Sequence, residues 1–498
     1  MRIFSKSKIM ALRQCPKRLW LEIHHPELLM DSAKAKAGFA AGNRVGEIAK
    51  IIFDPQNRGA FIDREGGYQA ALIRSKELMQ SAIPIFEGGF SASGGLAFSD
   101  VLLPDNADGA LAWHMIEVKG ASKVKDEYLD DIAFQAFIAQ TAGVNLKSVS
   151  LAHVDTSWIY PGNDNYQGLL KVNDLTTHAF RRSSEVKTWL EEADYVTKQN
   201  SEPDIKTGSH CSIPYDCGFY EYCSRNKPKA EYPVEWLPRI LAKKVEQLAV
   251  RGIYDLRDVP DEMLNDKQML VKQVSITNQV YFDKFAMSSI LSNLTFPLYF
   301  LDFETISFAV PIWKGTRPYQ QIPFQFSLHI LTENGELTHS EFLDISGNDP
   351  SENFAYCLVN ACGNEGTVIV YNAGFEMSRI KDLAKMYPII SAQLLSINER
   401  VEDMLLLARD YYYHPNQQGS WSIKDLLSAA VPELRYDELN GVQNGGMAMA
   451  AFIEAINPET ATERKKEIKQ QLLSYCELDT YAMVKLWQVF AGQEKLNL

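Results

Sequence analysis

Two carboxylates interrupt an apolar stretch just past the middle of this 498-residue chain. The stretch is LYFLDFETI, residues 298–306, in which Asp302 and Glu304 stand two residues apart. Its apolar residues predict a buried strand, and because side chains alternate across a strand, both acids are expected on one face. Adjacent carboxylates repel unless they are protonated or share a cation, so the pattern predicts a site for Mg²⁺ or Mn²⁺. A solvated edge strand is the alternative.

Three further candidate residues follow in two segments nearer the C-terminus. VIVYNAGFE, residues 368–376, predicts an apolar strand that runs into a turn and ends at Glu376. SYCELD lies in a predicted long terminal helix, where Tyr475 and Asp479 are four residues apart and therefore share one face. Four acids of this kind fit a two-metal hydrolysis of a phosphodiester, in which two cations roughly 3.5–4 Å apart flank the phosphate.

The order of these segments resembles the DnaQ-like 3′–5′ exonucleases in their tyrosine (DEDDy) branch, whose motifs are D-x-E, N-x-x-[FY]-D and Y-x-x-x-D. The resemblance covers roughly residues 295–490. It implies an RNase H-like fold in which Tyr475 orients the attacking water. The metal ligands that it implies are Asp302, Glu304, Glu376 and Asp479. The chain departs from the second motif at Glu376, whose extra methylene moves the carboxylate. Asp403 also matches an acid of this superfamily, and we interpret it as structural.

A second acidic pattern lies on a predicted β-hairpin in the N-terminal part of the chain. Asp100 is expected at the end of its first strand, GGLAFSDVLLP, and Glu117 and Lys119 share one face of its second strand, LAWHMIEVKG. This pattern resembles the P-D-(D/E)-x-K nucleases, and Gln135 on the next predicted helix matches the glutamine of RecB-type members. The resemblance implies that Asp100 and Glu117 hold a divalent metal and that Lys119 positions or activates water. A surface strand with salt bridges is the alternative.

The first helix departs from the RecB-type pattern. Those nucleases carry a histidine there, in a sequence like G-x-x-x-H-E, whereas GNRVGE has Gly46 at that position. Glu47 is retained and is a candidate further ligand. The catalytic competence of this second site is therefore an open question at the level of the sequence.

The seven cysteines are too few for a disulfide scaffold, so a reducing compartment is expected. Four of them bracket the predicted N-terminal nuclease core, with C-x5-C-x5-C spacing in the last three: Cys15, Cys211, Cys217 and Cys223. They resemble the ligands of iron–sulfur nucleases related to CRISPR adaptation and helicase-linked repair, in which a four-iron four-sulfur cluster joins the two ends of the domain. Structural zinc and ordinary buried thiols are the alternatives. The remaining cysteines are predicted to be core residues, Cys476 on a different helical face from Tyr475: Cys357, Cys362 and Cys476.

Three domains are predicted within an α/β fold. Residues 1–230 form the RecB-like PD-(D/E)XK domain with the four cysteines, residues 231–294 form a helical connector, and residues 295–498 form the DnaQ-like domain. Within the connector, LAVRGIYDLRDVP resembles the helix–hairpin–helix turns that bind nucleic-acid backbone, with a plain helix connection as the alternative. No apolar run reaches the roughly 18 residues of a membrane span, and a cytoplasmic protein is expected.

The whole order resembles an uncharacterised bacterial family that joins an iron–sulfur RecB-like nuclease domain to a DnaQ-like exonuclease domain. It implies a metal-dependent nuclease that trims or cuts nucleic acid, DNA more than RNA, at single strands or ends. The net charge of −13 argues against a general basic coat but not against one local groove. An RNA-processing exonuclease is one rival hypothesis. An iron–sulfur nucleic-acid-binding scaffold with degenerate sites is the other.

Overall fold

The computed structural model describes residues 2–30, 33–106, 109–225 and 227–492. The chain divides into two compact units. The first runs to Lys227 and includes the segment Phe308–Tyr319; the second comprises Pro228–Ser307 and the residues from Gln320 onward. Both units are mixed α/β, which confirms the α/β part of the predicted fold class. Among the described helices, none combines the length and apolarity needed to cross a bilayer.

The first unit is built on a seven-stranded sheet of order β2-β3-β4-β5-β6-β7, with β1 paired to β4. Its strands are β1 (Phe4–Ser5), β2 (Ala60–Phe61), β3 (Ile85–Ala92), β4 (Gly95–Asp105), β5 (Ala112–Lys119), β6 (Leu146–Val154) and β7 (Leu170–Asp174). Its helices are α1 (Lys6–Gln14), α2 (Pro16–His24), α3 (Ala33–Phe53), α4 (Gly67–Leu78), α5 (Asp126–Thr141), α6 (Thr176–Arg181), α7 (Ser183–Thr197) and α8 (Tyr220–Ser224). Strands β3, β4 and β5 are antiparallel neighbours, and β6 runs parallel to β5.

The predicted hairpin is the pair β4–β5. Val101 pairs with Ile116, so Asp100 and Glu117 occupy the next position along the same register. Strand β4 continues five residues beyond Asp100, which therefore lies within the strand and not at its end as predicted. Helix α5 covers this sheet closely: a Cβ on Gly95 would collide with the side chain of Ile138, which would have to shift.

The second unit contains a five-stranded sheet of order β11-β10-β9-β12-β13 and a two-stranded pair, β14-β8. Its strands are β8 (Tyr281–Phe282), β9 (Leu298–Ile306), β10 (Ile322–Leu331), β11 (Leu337–Leu343), β12 (Thr367–Val370), β13 (Val401–Asp403) and β14 (Tyr412–Tyr413). Its helices are α9 (Ala242–Val250), α10 (Asp266–Thr277), α11 (Lys284–Leu291), α12 (Ser351–Cys362), α13 (Gly374–Met386), α14 (Ser391–Glu399), α15 (Met404–Tyr411), α16 (Ile423–Ala430), α17 (Gly445–Ile456) and α18 (Thr462–Ala491).

Strand β9 is central in this sheet and matches the predicted strand at both ends. It pairs antiparallel with β10 on one side and parallel with β12 on the other. Leu301 and Phe303 pack into an apolar cluster with α12, α13 and α14. The opposite face of β9 meets the thirty-residue helix α18. The alternation of side chains thus directs Asp302 and Glu304 toward α18, away from the apolar cluster.

The predicted connector, residues 231–294, lies in the second unit and contains α9, α10, α11 and the short strand β8. The segment LAVRGIYDLRDVP runs from the end of α9 through the 3₁₀ turn Leu256–Asp258, and a second 3₁₀ turn, Asp261–Met263, follows before α10. A small apolar cluster around Leu248 and Val259 holds this connection.

Candidate functional site

Three carboxylates from β9 and α18 converge in the second unit. One carboxylate oxygen of each lies within 4.8 Å of the other two, and the residues are Asp302, Glu304 and Asp479. Glu304 and Asp479 are buried, and Asp302 is partly buried. Cys476, which precedes Asp479 by three residues on α18, is 174 residues from Asp302 in sequence. Tertiary packing and not local sequence therefore creates this cluster. The geometry suits cations that bind several carboxylate oxygens.

Glu376 lies in the first turn of α13, directly after β12. It is buried, and among the described residues its Oε2 has no hydrogen-bond partner. Its negative charge contributes to raising the pKa values of both Asp302 and Glu304, so it acts on the same pocket. A buried carboxylate oxygen without a partner is costly, which makes it a candidate metal ligand here.

Asp403 holds the turn that presents Glu376. Its carboxylate accepts hydrogen bonds from the backbone N–H groups of Asn372 and Ala373, and from Leu405 N at the start of α15. Asn372 has φ = 72°, a left-handed conformation that asparagine tolerates better than most residues. These contacts fit the structural role predicted for Asp403.

Burial and mutual repulsion perturb the acids of this pocket. Burial, followed by the charges of Asp479 and Glu304, raises the pKa of Asp302 well above its usual range. Burial and the charge of Asp479 raise the pKa of Glu304 to about 8, while burial raises that of Glu376 to about 7. Burial also raises the pKa of Asp479 to about 6. Without a cation, some of these carboxyl groups are therefore protonated near neutral pH.

Two residues that belong to none of the predicted motifs, Tyr436 and Lys424, complete the pocket. The Tyr436 hydroxyl donates a hydrogen bond to Asp479 Oδ1 at 2.6 Å. Lys424 Nζ lies 4.7 Å from the ring centroid of Tyr436 and 5.2 Å from that of Tyr475. The Lys424 charge lowers the pKa values of Glu304 and Asp479, against the effect of burial. Neither residue could be found from spacing, because both precede α18 by tens of residues in irregularly spaced segments.

Cys476 is buried, as predicted, and it reaches the acidic pocket although it follows Tyr475 directly on α18. Its thiol lies 3.8 Å from Asp302 Oδ2 and is buried, because α18 packs against the sheet over a broad face. Burial and the neighbouring carboxylates raise the pKa of the Cys476 thiol well above its usual value, so it stays a weak donor. Cys357 is exposed and not in the core as predicted, whereas Cys362 is buried.

The hairpin acids of the first unit lie in a network of charges. Glu117 is almost fully buried, and its Oε1 accepts from Lys119 at 2.6 Å and from Lys6 at 2.7 Å. Gln135 Nε2 donates to Glu117 Oε2 and to Asp131 Oδ1, and Lys119 also contacts Asp131 at 2.6 Å. Burial opposes ionisation of Glu117, but the two lysines outweigh it and lower its pKa. Lys6 and Asp131 join the predicted residues here.

Asp100 lies beside this network on the neighbouring strand. Its Oδ2 accepts from the backbone N–H of Val118 at 2.6 Å. Burial, with the charge of Glu117, raises its pKa to about 8. Glu47 is exposed and forms a salt bridge with Arg44 at 2.9 Å. A Cβ added at Gly46 would have no atom within 4 Å, so there is space for a side chain at this position. Asp100 and Glu117 are thus two buried carboxylates at directly neighbouring strand positions, the arrangement in which adjacent acids are protonated or share a cation.

The four predicted cysteine ligands line one pocket. They come from the start of α2, from the 3₁₀ turn Ser209–Cys211, and from the segment that ends in α8: Cys15, Cys211, Cys217 and Cys223. Gln14 ties the two ends of the unit together, since its Nε2 donates to the carbonyls of His210 and Tyr215. Burial, opposed by Lys17 and reinforced by the other thiols, raises the pKa of Cys223 to about 11.

The spacing of these sulfurs bears on the metal they could hold. Among the described residues, two groups of candidate metal ligands have ligand atoms that all lie within 4.8 Å of one another. Neither group contains these cysteines. Tetrahedral zinc, with Zn–S near 2.3 Å, needs sulfurs roughly 3.8 Å apart. No three of these four sulfurs lie within 4.8 Å of one another, so the described thiols do not form a closed tetrahedral zinc site.

Comparison with known proteins gives one match. A family model described as "Domain of unknown function (DUF2779)" matches residues 299–422. The matched span begins in β9 and includes Asp302, Glu304, Glu376 and Asp403, but it ends before Tyr475 and Asp479 on α18. A search of curated proteins finds no match to this chain.

Proposed function

We propose that this protein is a metal-dependent nuclease that hydrolyses phosphodiester bonds of DNA at single strands or ends. The observation that carries the proposal is the convergence of Asp302, Glu304 and Asp479 within 4.8 Å, with the unpartnered carboxylate of Glu376 acting on the same pocket. These are the acids that the DnaQ-like motifs predict. Chance placement would scatter them, because they come from three separate segments of the chain.

The sheet supports an RNase H-like, DnaQ-type domain in the second unit. Its acid-bearing strand β9 has an antiparallel hairpin, β10–β11, on one side and the parallel strands β12 and β13 on the other. The long helix that carries the last motif packs on the acidic face of β9. Fold alone does not define an activity, so the proposal depends on the side chains of the pocket.

The donor set fits Mg²⁺ or Mn²⁺. All four candidate ligands offer hard carboxylate oxygens, and the raised pKa values of Glu304 and Glu376 reflect burial of acids that a cation would stabilise in their ionised form. When bound, a pair of such cations would lower the pKa of a water and stabilise charge on the leaving oxygen.

The chain's own groups define what else the pocket does. Burial and the nearby carboxylates raise the pKa of Tyr475 far above its usual value, so its hydroxyl keeps its proton. We assign it to orient a water by hydrogen bonding and not to act as a base. Lys424, against the two tyrosine rings, supplies positive charge beside the pocket and is placed to attract a phosphate.

We assign the first unit to the RecB-like PD-(D/E)XK nucleases, with a second metal site at Asp100 and Glu117. The adjacent hairpin positions of these acids, with Lys119 and Gln135 bonded to Glu117, support it. The cysteine pocket is proposed to hold a four-iron four-sulfur cluster, with zinc as the alternative. Four thiols from both ends of the unit support a group that joins them.

One observation favours a scaffold role for the first unit. Lys6, Lys119 and Gln135 already satisfy both oxygens of Glu117, so this acid needs no cation to remain buried and ionised. In that case the first unit would bind nucleic acid without cutting it, and the second unit alone would carry the hydrolysis.

The test is an activity assay on the full chain with Mn²⁺ or Mg²⁺ and end-labelled single- and double-stranded DNA and RNA. Asp302→Ala should abolish release of nucleotides from 3′ ends, and Glu399→Ala, an exposed change on α14, should not. Glu117→Ala, alone and combined with Asp302→Ala, separates the two sites. Degradation that persists in the double variant at the wild-type rate refutes the nuclease proposal. Faster cleavage of RNA than of matched DNA favours the RNA-processing alternative.

A further inference from the structure

A second group of candidate metal ligands lies outside the acidic pocket, on the β10–β11 hairpin and α18. His329 on β10 and His339 on β11 are direct cross-strand partners, with ring centroids 4.6 Å apart. Glu477 of α18 completes the group, and one ligand atom from each residue lies within 4.8 Å of the other two. His329 is buried, whereas His339 and Glu477 are exposed. Two imidazoles and one carboxylate thus converge at a site that opens to solvent.

Hydrogen bonds fix which ring nitrogens are free. We assign the Thr480 hydroxyl proton to the backbone carbonyl of Glu477, 3.1 Å away. With this assignment, Thr480 accepts from its other two partners, His329 Nδ1 at 2.8 Å and Ser327 Oγ at 2.7 Å. Ser327, having given its proton to Thr480, accepts from His339 Nε2 at 2.9 Å. Each ring therefore carries its proton on the nitrogen that faces these hydroxyls.

In these tautomers, His329 Nε2 and His339 Nδ1 carry no proton, and each has a free lone pair. Among the described residues, neither nitrogen makes a hydrogen bond. Metal-bound histidines in proteins almost always donate their other N–H to an oxygen, which sets the tautomer in this way.

The donor chemistry differs from that of the acidic pocket. Imidazole suits borderline transition metals such as Zn²⁺, whereas the pocket offers carboxylates alone. Zn–N and Zn–O bonds near 2.0–2.2 Å require ligand atoms roughly 3.3–3.5 Å apart. The exposed side chains of His339 and Glu477 can close the remaining distance, while buried His329 stays fixed. A water would take the fourth position on the open side.

We propose that His329, His339 and Glu477 form a Zn²⁺-class metal site that fastens α18 to the β10–β11 hairpin. Its place in the fold gives it a structural consequence. Ser327 pairs with Asp302 across the sheet, and Glu477 precedes Asp479 by two residues on α18, so a metal here would restrain the two elements that supply the acidic pocket. The proposal stands whether or not the pocket cleaves nucleic acid.

The test is Zn²⁺ binding to the full chain in excess Mg²⁺, by equilibrium dialysis and by Co²⁺ absorption spectra, with thermal unfolding as a second readout. His339→Gln and Glu477→Gln change exposed side chains and should each remove one equivalent of Zn²⁺, together with the rise in unfolding temperature that Zn²⁺ gives the wild type. His25→Gln, which changes a partly exposed histidine elsewhere, should lose neither. The cysteine pocket is present in all of these proteins, so any metal that it binds cancels in the comparison.

Thr480→Val tests the tautomer argument, since it removes the hydroxyl that fixes His329. We expect roughly 10–100-fold weaker Zn²⁺ binding with the three ligands intact. Equal Zn²⁺ stoichiometry and affinity in wild type, His339→Gln and Glu477→Gln would overturn the proposal. Loss of nuclease activity is not a readout here, so failure of this site and failure of the nuclease proposal are distinguishable.

Discussion

Replacing Glu376 by glutamine should stabilise the metal-free protein at alkaline pH. Burial raises the pKa of this carboxyl from its ordinary 4.5 to about 7, so the folded chain keeps a proton that the unfolded chain releases between these values. Raising the pH through this window therefore destabilises the fold, and the effect is complete above pH 7. Each tenfold change in proton affinity corresponds to about 1.36 kcal/mol, so ionised Glu376 costs the folded state roughly 3 kcal/mol.

Glu376→Gln removes this ionisation while keeping the size of the side chain. In EDTA at pH 8, we expect its free energy of unfolding to exceed that of the wild type by up to about 3 kcal/mol, and the advantage to be about 2 kcal/mol smaller at pH 5. The assay is urea unfolding followed by tryptophan fluorescence at both values of pH. Glu399→Gln, an exposed change on α14, is the control and should follow the wild type.

Adding Mn²⁺ should reverse the order of stability at pH 8. A cation that binds the ionised pocket stabilises the wild type in proportion to its affinity, and the variant loses one of the four ligands. The same dependence of stability on pH for Glu376→Gln and the wild type in EDTA would contradict a raised pKa of Glu376 in the folded protein.

Three other changes test separate parts of the molecule. Tyr436→Phe removes the hydrogen bond that lowers the pKa of Asp479. Because more of Asp479 is then protonated, Mn²⁺ binding should weaken about tenfold at pH 6 and less at pH 8. A loss of affinity that is independent of pH would contradict this. Lys6→Met takes one ammonium from the buried acids of the first unit and should lower the free energy of unfolding by about 1–3 kcal/mol in urea unfolding. Anaerobically purified protein should absorb visible light through its cluster, and Cys217→Ser should lose that absorbance while the exposed change Cys357→Ser keeps it.

Local sequence rules were sufficient for the elements that carry the acids. The alternation of side chains in β9 directs Asp302 and Glu304 to one face, and β9 has the bounds that its apolar residues indicate. The helical spacing of Tyr475 and Asp479 likewise fits α18, a thirty-residue helix where a long terminal helix was predicted. Such patterns are visible because strand and helix periodicity depend on neighbouring residues. The catalytic roles of these residues stay proposals.

Residues that reach a site from distant segments had no such signal. Lys6 is 111 residues from Glu117, and Tyr436 is 43 residues from Asp479, so only tertiary packing brings each pair together. The contact of Cys476 with Asp302 had no signal either, because α18 is buried over a broad face and so brings more than one side of the helix to the sheet. The pairing of His329 with His339 depends on the register of β10 and β11, which a single sequence does not specify.

Mn²⁺ binding to the acidic pocket, measured by electron paramagnetic resonance on the full chain, tests most directly whether the buried acids form a cation site. We expect Asp302→Asn to remove at least one equivalent of bound Mn²⁺ and the cleavage of 3′-terminal phosphodiesters, whereas Asp266→Asn, an exposed change on α10, should remove neither. Unchanged Mn²⁺ binding in Asp302→Asn would contradict the claim that these buried acids are held together to bind divalent cations.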